Sequence, residues 1–270
     1  MPELPEVETT RRGLAPLIIG KKIKKVLVRE PRLRWPVDPI ISDRMQYQSI
    51  VDITRRGKYL LVLTTNDTLL LHLGMSGNLR YLKNPSIPSK HDHIDILFSS
   101  GDLLRFNDPR RFGSLHCFKP SEKHWLLKNM GPEPLGPDFT GNYLWKTSRD
   151  RRVGIKQLLM NSHIVAGIGN IYANESLFKA GIHPTRAAKR ISFERLTRLV
   201  KESQQVLKDA IQEGGTTLQD FVGSDGQPGY FQQSLSVYGK EGQPCPKCDE
   251  HIKFRSICQR ATYYCSSCQR

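Results

Sequence analysis

Two groups of residues have types and spacings suited to chemistry, and they lie at opposite ends of the chain. Near the C-terminus, Cys245-x2-Cys248 and Cys265-x2-Cys268 are separated by sixteen residues. Each Cys-x-x-Cys pair sets two thiolates on a tight turn, and two such turns can close a tetrahedron around zinc. Four thiolates leave no position for water, so one structural ion per chain is expected. Cys258 lies between the pairs and could in principle substitute, but it lacks a Cys-x-x-Cys partner. Cys117, in an apolar run, reads as a small buried hydrophobe.

The other group is Met1-Pro2-Glu3-Leu4-Pro5-Glu6-Val7-Glu8. One reading is a helix start: Pro5 suits the first turn, Glu6 and Glu8 suit its positive end, and Val7 and Leu14 face a core. A second reading concerns Pro2. A small residue after an initiator Met normally allows its removal, which would leave a secondary amine at the chain end. An α-amino group titrates at about 7.7–8.0, against about 10.4 for lysine, so it offers far more neutral nucleophile near pH 7. Condensed with a sugar aldehyde, a secondary amine gives an iminium with no proton to lose, and Glu3 beside it can shuttle protons. The two readings are compatible.

These residues need elements to carry them. Short apolar runs at 49–53, 59–63, 68–73, 78–82, 94–98, 103–106 and 113–118, after a basic strand in 21–30, predict a β-sandwich of about eight strands. Turn residues such as Asn66-Asp67 and Ser99-Ser100-Gly101 separate some of them. Gly131-Pro132-Glu133-Pro134-Leu135-Gly136-Pro137 suits neither a helix interior nor a central strand and marks a linker. Beyond it the period is helical: short helices at 155–160 and 171–179, then a long one capped by Ser192. Its stripe is Leu196, Val200, Ser203, Leu207 and Ile211, and it ends at Gly214-Gly215. Residues 214–242, rich in Gly, Gln and Ser, read as a long functional loop. The expected fold class is α+β and multi-domain: an N-terminal sandwich with an opening helix (1–130), a linker (131–149), a helical region (150–240) and a zinc ribbon (241–270).

The charge balance narrows the partner. The 270 residues hold 41 Lys and Arg against 26 Asp and Glu, a net charge of +15. That favours a polyanion, with nucleic acid ahead of a membrane surface. No apolar run approaches the ~20 residues that span a bilayer. The opening lacks the charge and apolar run of a signal peptide, and the cysteine usage suits a reducing compartment, so a cytoplasmic location is expected.

The opening octapeptide with Thr9 and Arg11-Arg12-Gly13, together with the terminal cysteine pairs, resembles the bacterial formamidopyrimidine-DNA glycosylases, also called 8-oxoguanine DNA glycosylases. The resemblance spans the whole chain. It implies a helix–two-turn–helix element in the second half and a bifunctional enzyme, normally a monomer. Such an enzyme excises oxidised purines (8-oxoguanine, formamidopyrimidines) from double-stranded DNA and cuts the abasic strand by β,δ-elimination. It implies Pro2 as nucleophile, Glu3 as acid/base with Glu6 in support, and Lys58, after Arg55-Arg56-Gly57, as proton donor for β-elimination. Arg260 is implied as a phosphate ligand and as the proton donor often assigned to δ-elimination; a guanidinium titrates above ~12, which favours the phosphate role. Met75, Arg110 and Phe112 would fill the gap left by the flipped nucleotide, Arg110 pairing with the orphaned cytosine. Asn170, in Gly167-Ile168-Gly169-Asn170, would hold phosphate as well as head a helix, with Arg151, Lys156 and His91 on the same backbone and Glu175 organising the element. On residue types alone His91-Asp92-His93 hints at a metal site, on spacing too short to persuade. Two rivals remain: an endonuclease VIII-like glycosylase for oxidised pyrimidines, which usually has glycine where this chain has Leu4, and a zinc-dependent DNA-binding protein without catalysis.

Overall fold

The computed structural model describes residues 2–214 and 235–270. Residues up to Lys128 belong to one compact unit, and Asn129–Gln212 with the residues from Leu235 onward belong to a second. Met1 and most of the expected 214–242 loop lie outside the described residues.

The first unit opens with helix α1 (Leu4–Ile18), with Pro5 in its first turn. Its apolar positions Val7, Leu14 and Ile18 are all fully buried, as the sequence pattern requires. Two four-stranded antiparallel sheets follow. One has the order β1 (Ile23–Val28), β6 (Asp92–Phe98), β7 (Leu103–Asn107), β5 (Asn78–Leu82). The other has β2 (Ile50–Arg56), β3 (Tyr59–Thr64), β4 (Thr68–His72), β8 (Ser114–Phe118). A single core takes Val26, Ile94 and Ile96 from the first sheet, Ile53, Leu60, Val62 and Leu71 from the second, and the α1 stripe. Each such side chain contributes roughly 1.5–3 kcal/mol by leaving water. Two short helices, α2 (Ile41–Met45) and α3 (Trp125–Lys128), complete the unit.

Strand β2 runs three residues past the apolar run, through Thr54, Arg55 and Arg56. Polar residues give no strand signal, and what holds them extended is pairing with β3, Arg56 opposite Tyr59. The extension matters because it leaves Gly57-Lys58 as a two-residue hairpin turn, with Gly57 at φ 56°.

An ion network braces the first sheet from within. Arg105, 2% exposed, grips Asp95 through Nε and Nη2, both at 2.8 Å, and lies 3.6 Å from Asp92. Asp92 also accepts from Arg80, Asn107 and the Ser89 amide, while Arg105 donates to the Ser86 carbonyl. The loop that ends at His91 is thereby tied to the sheet. Removing one member would leave buried charge uncompensated, at a cost of about 3–5 kcal/mol.

The second unit is helical: α4 (Gly141–Ser148), α5 (Ile155–Met160), α6 (Asn170–Ala180) and α7 (Phe193–Gln212). Ser192 Oγ accepts the Arg195 amide at the head of α7, and Leu196, Val200, Ser203, Leu207 and Ile211 are all buried. Helix α4 falls inside the segment expected as linker. Its sequence holds little apolar pattern, and it is fixed by tertiary contact instead. The Thr140 hydroxyl caps it, Leu144 is buried, and Gly141 lies so close to Thr197 of α7 that a Cβ would clash at 2.2 Å. The unit ends in an antiparallel ribbon, β9 (Lys253–Ile257) and β10 (Arg260–Tyr264). The fold is thus the expected one: a β-sandwich with an opening helix, then helices, then a ribbon beside a cysteine cluster.

Candidate active site

At the head of α1, Pro2 is buried and the Glu3 and Glu6 side chains sit in residues only 1% exposed. Glu6 Oε2 accepts the Glu3 amide at 2.8 Å, which fixes the turn of chain that presents Pro2 and Glu3. One turn further on, Glu8 accepts hydrogen bonds from Arg11 and Arg12 and from Arg55 of β2. Burial opposes its charge, but the bonds from Arg11 and Arg12 and the charge of Arg55 prevail and hold its carboxyl down at about 2. Arg55 also donates to the Gly57 carbonyl at 2.9 Å. A chain of bonds therefore runs from α1 through Glu8 and Arg55 to the turn that carries Lys58.

His72, at the end of β4, was not among the residues the sequence singled out. Its ring packs on Tyr59 with centroids 4.8 Å apart, and its Nδ1 accepts the Gly74 amide at 3.1 Å. Burial, reinforced by the charges of Lys58 and Arg34, pushes its imidazole down to about 3. It is a neutral imidazole whose proton must sit on Nε2, a donor beside two cations. A lone histidine after four strand residues carries no sequence signal of this.

The loops bearing Met75, Arg110 and Phe112 converge on one carboxylate. Asp108 is fully buried; its Oδ2 accepts the Gly113 amide at 2.7 Å and its Oδ1 the Ser76 hydroxyl at 3.0 Å. Its backbone amide donates to the His91 carbonyl at 3.0 Å, and the His93 ring Nε2 meets its backbone oxygen at 2.8 Å. Gly74, at φ +66°, presses on the next loop so tightly that a Cβ would lie 2.4 Å from the Gly113 amide nitrogen. The structure thus brings Met75, His91, Arg110 and Phe112 onto neighbouring loops. Arg110 is exposed and stacks over the Phe112 ring at 5.2 Å, with Phe112 itself 44% exposed. The His93 ring is oriented by the Asp108 backbone oxygen. Among the described residues, the group of three or more side chains placed to hold a metal is made of cysteines and includes neither His91 nor His93.

In the second unit, Asn170 is the first residue of α6, after Gly167 at φ 83°. Glu175, 2% exposed, accepts the backbone amides of Ser236, Val237 and Tyr238, at 2.8, 2.9 and 2.9 Å. Arg151 is exposed and bonds the Thr147 carbonyl. Lys156, expected with Arg151 on the DNA backbone, is buried where Arg151 is exposed. It is 2% exposed, and its ammonium donates to the Ala261 carbonyl at 2.7 Å and the Thr262 hydroxyl at 2.8 Å. These two bonds tie the ribbon to α5. Arg260 opens β10 directly after the Cys258-Gln259 turn, whose residues sit at φ 48° and 58°, and it is exposed.

The sulfurs of Cys245, Cys248, Cys265 and Cys268 all lie within 4.8 Å of one another. Three of the separations are 3.3, 3.5 and 3.9 Å. Metal–sulfur bonds of about 2.3 Å in a tetrahedron imply edges of about 3.8 Å, so the donor set fits a four-coordinate soft metal. Cys258 is exposed and lies outside this set; Cys117 is half-buried, and burial pushes its thiol up to about 11.

Comparison with known proteins decides the family. Residues 1–115 match the formamidopyrimidine-DNA glycosylase N-terminal domain, and residues 130–222 match the H2TH domain of the same enzymes. The formamidopyrimidine-DNA glycosylase of Alkalilimnicola ehrlichii is 53% identical over the full length of both chains. The chain belongs to the formamidopyrimidine-DNA glycosylase family. Another relative of that name, from Hahella chejuensis, is 54% identical, again over the whole of both chains. Among solved structures, the MutM (Fpg) protein of Thermus thermophilus superposes with a TM-score of 0.90 at 37% identity, covering 99% of this chain and 98% of that one. A Lactococcus lactis Fpg mutant bound to DNA containing Fapy-dG gives 0.93 at 33% identity over 100% of both chains. The complex of the Lactococcus lactis Fpg with abasic-site DNA gives 0.92 at 33%, over 99% of both.

The Glu8 cluster generates a pH prediction. Its folded carboxyl titrates at about 2 against an unperturbed 4.5, so the stability it contributes is complete above about 4.5 and drains away as pH falls toward 2. Glu8→Gln should therefore be less stable than the parent at pH 7, with the gap narrowing steadily below pH 4.5 in denaturant titrations. A gap independent of pH would mean that the cluster acts through shape alone.

Proposed function

We propose that this protein is a base-excision-repair DNA glycosylase with lyase activity, acting on oxidised purines in double-stranded DNA. The observation that carries the reading is the head of α1, where a proline that becomes a secondary amine on loss of Met1 stands next to the buried carboxylate of Glu3. Family membership and the complexes of relatives with Fapy-dG and abasic-site DNA support it.

On this reading the Pro2 nitrogen attacks C1′, the glycosidic bond breaks, and the base leaves with a proton. Glu3 shuttles protons as the ring opens to an iminium. Loss of a C2′ proton then expels the 3′ phosphate, and a second elimination expels the 5′ phosphate. Water hydrolyses the iminium, which releases the baseless sugar remnant as an aldehyde and frees the Pro2 amine. Lys58, brought to α1 by the Glu8–Arg55 chain, supplies the proton for the first elimination, and Arg260 grips the phosphate of the second. Neutral His72 offers an Nε2–H to a phosphate without adding charge. Asn170, Arg151 and His91 bind the DNA backbone, while Lys156 and Glu175 hold the elements that do so. Met75 and Phe112 fill the stack, and Arg110 reads the orphaned base. The net charge of +15 draws the polyanion in. The four cysteines would hold one zinc ion, which supplies cross-linking of the ribbon and no chemistry. We place the enzyme in the cytosol, working as a monomer; among the described residues no helix is long and apolar enough to cross a membrane.

Two outcomes are expected. An orphaned cytosine presents Arg110 with its O2 carbonyl as an acceptor where adenine presents only a C–H, so 8-oxoguanine should be excised faster opposite C than opposite A. Single-turnover rates on the two duplexes check this; equal rates would remove Arg110 from the opposite-base role, and a preference for thymine glycol would favour the pyrimidine-specific relatives. For the metal, Cys265→Ser should lose zinc and most DNA affinity while the N-terminal sandwich stays folded, because apart from Cys245 and Cys265 the ribbon's buried cluster is only Val237 and Ile252 packed with Phe178 of α6. Full affinity with one equivalent of zinc retained would assign the ligand set differently.

A further inference from the structure

We propose that Asn174 is a positioning residue that fixes the placement of Arg260 relative to the Asn170 helix head, so that the two engage the phosphates of one damaged nucleotide together. This rests on the DNA-contact roles assigned above to Arg260 and Asn170. Asn174 is 1% exposed, one turn into α6. Its Nδ2 donates to the Asn170 carbonyl at 2.6 Å, and its Oδ1 accepts the amide of Tyr263 in β10 at 2.9 Å. One side chain therefore joins the first residue of α6 to the strand that Arg260 begins.

The bond to Tyr263 completes a tether along the ribbon. Lys156 of α5 already holds Ala261 and Thr262, so three successive residues after Arg260 are fixed to the two helices flanking the Asn170 turn. Arg260 itself is exposed, and its pairing partner in the ribbon is Ile257, the last residue of β9. What holds its backbone in place is the tether behind it. The chemistry of the bridge is specific. A primary amide offers a donor and an acceptor on one short stem, and here each faces its complement. A carboxylate would set oxygen against the Asn170 carbonyl, and an aliphatic side chain would leave the Tyr263 amide unpaired in a buried site.

The experiment is a double-mutant cycle on the full-length, zinc-loaded protein. Affinity for a duplex carrying a tetrahydrofuran abasic analogue is measured over a range of salt for the parent, Asn174→Ala, Arg260→Ala and the double variant. Arg260→Ala should weaken binding by about 10-fold, as expected for a lost charge-assisted bond. It should also lower the slope of log K against log salt by about one phosphate contact. Asn174→Ala should reproduce most of that loss and the same change of slope, with zinc content unchanged, and the double variant should bind no worse than Arg260→Ala. Asn174→Ser, whose hydroxyl serves only the Asn170 carbonyl, should show the same coupling at smaller cost to the fold. Additive losses with an unaltered salt slope in Asn174→Ala or Asn174→Ser would overturn the proposal and leave the role of Arg260 standing. Parent-like affinity and salt slope in Arg260→Ala would instead remove the phosphate role itself, and the proposal with it.

Discussion

A carboxylate taken out of water must be met by hydrogen bonds or positive charge, and the parts of this protein that matter for function are assembled on that requirement. Glu8 gathers Arg11, Arg12 and Arg55 and so joins the helix of Pro2 and Glu3 to the hairpin of Lys58. Asp108 gathers the Gly113 amide and the Ser76 hydroxyl and so joins the loops of Met75, Arg110 and Phe112. Glu175 gathers three successive amides of residues 236–238 and so fixes the chain just before the cysteine cluster. In each case the acid touches none of the groups assigned to reaction or base reading, yet its burial leaves the neighbouring elements one arrangement.

The basic excess is divided in the same spirit. Arg105 and Lys156 are each 2% exposed and serve the fold, one bracing a sheet and the other tying the ribbon to α5. Arg110, Arg151 and Arg260 remain exposed. Charge of the second kind attracts DNA and weakens with salt; charge of the first kind is shielded from salt and sets geometry.

Much of this was legible in the sequence, for reasons that are local. Two Cys-x-x-Cys pairs sixteen residues apart suit tight turns with paired thiols. The eight strands follow from short apolar runs, some parted by turn residues, and the α7 stripe follows from helical period. Pro2, Glu3 and the four cysteines also stand out by residue type and position along the chain. What escaped is long-range. Helix α4 is a short polar-looking segment stabilised by α7, and the last residues of β2 are charged and held by β3. His72 acquires its low imidazole pKa from burial and from Lys58 and Arg34, and Asn174 acquires its role from a strand nearly ninety residues away. Lys156 shows the converse: a lysine in a basic stretch reads as a surface charge until its tertiary partners are known.

On the proposed mechanism the chain's own terminal amine is the nucleophile. Borohydride reduction during turnover on 8-oxoguanine DNA, followed by peptide mapping of the protein–DNA adduct, tests it most directly. One adduct is expected, on the nitrogen of Pro2 in protein from which Met1 has been removed, and none when Met1 or a tag blocks that nitrogen, although such protein should still bind DNA. An adduct on Lys58, or on any other side chain, would contradict it.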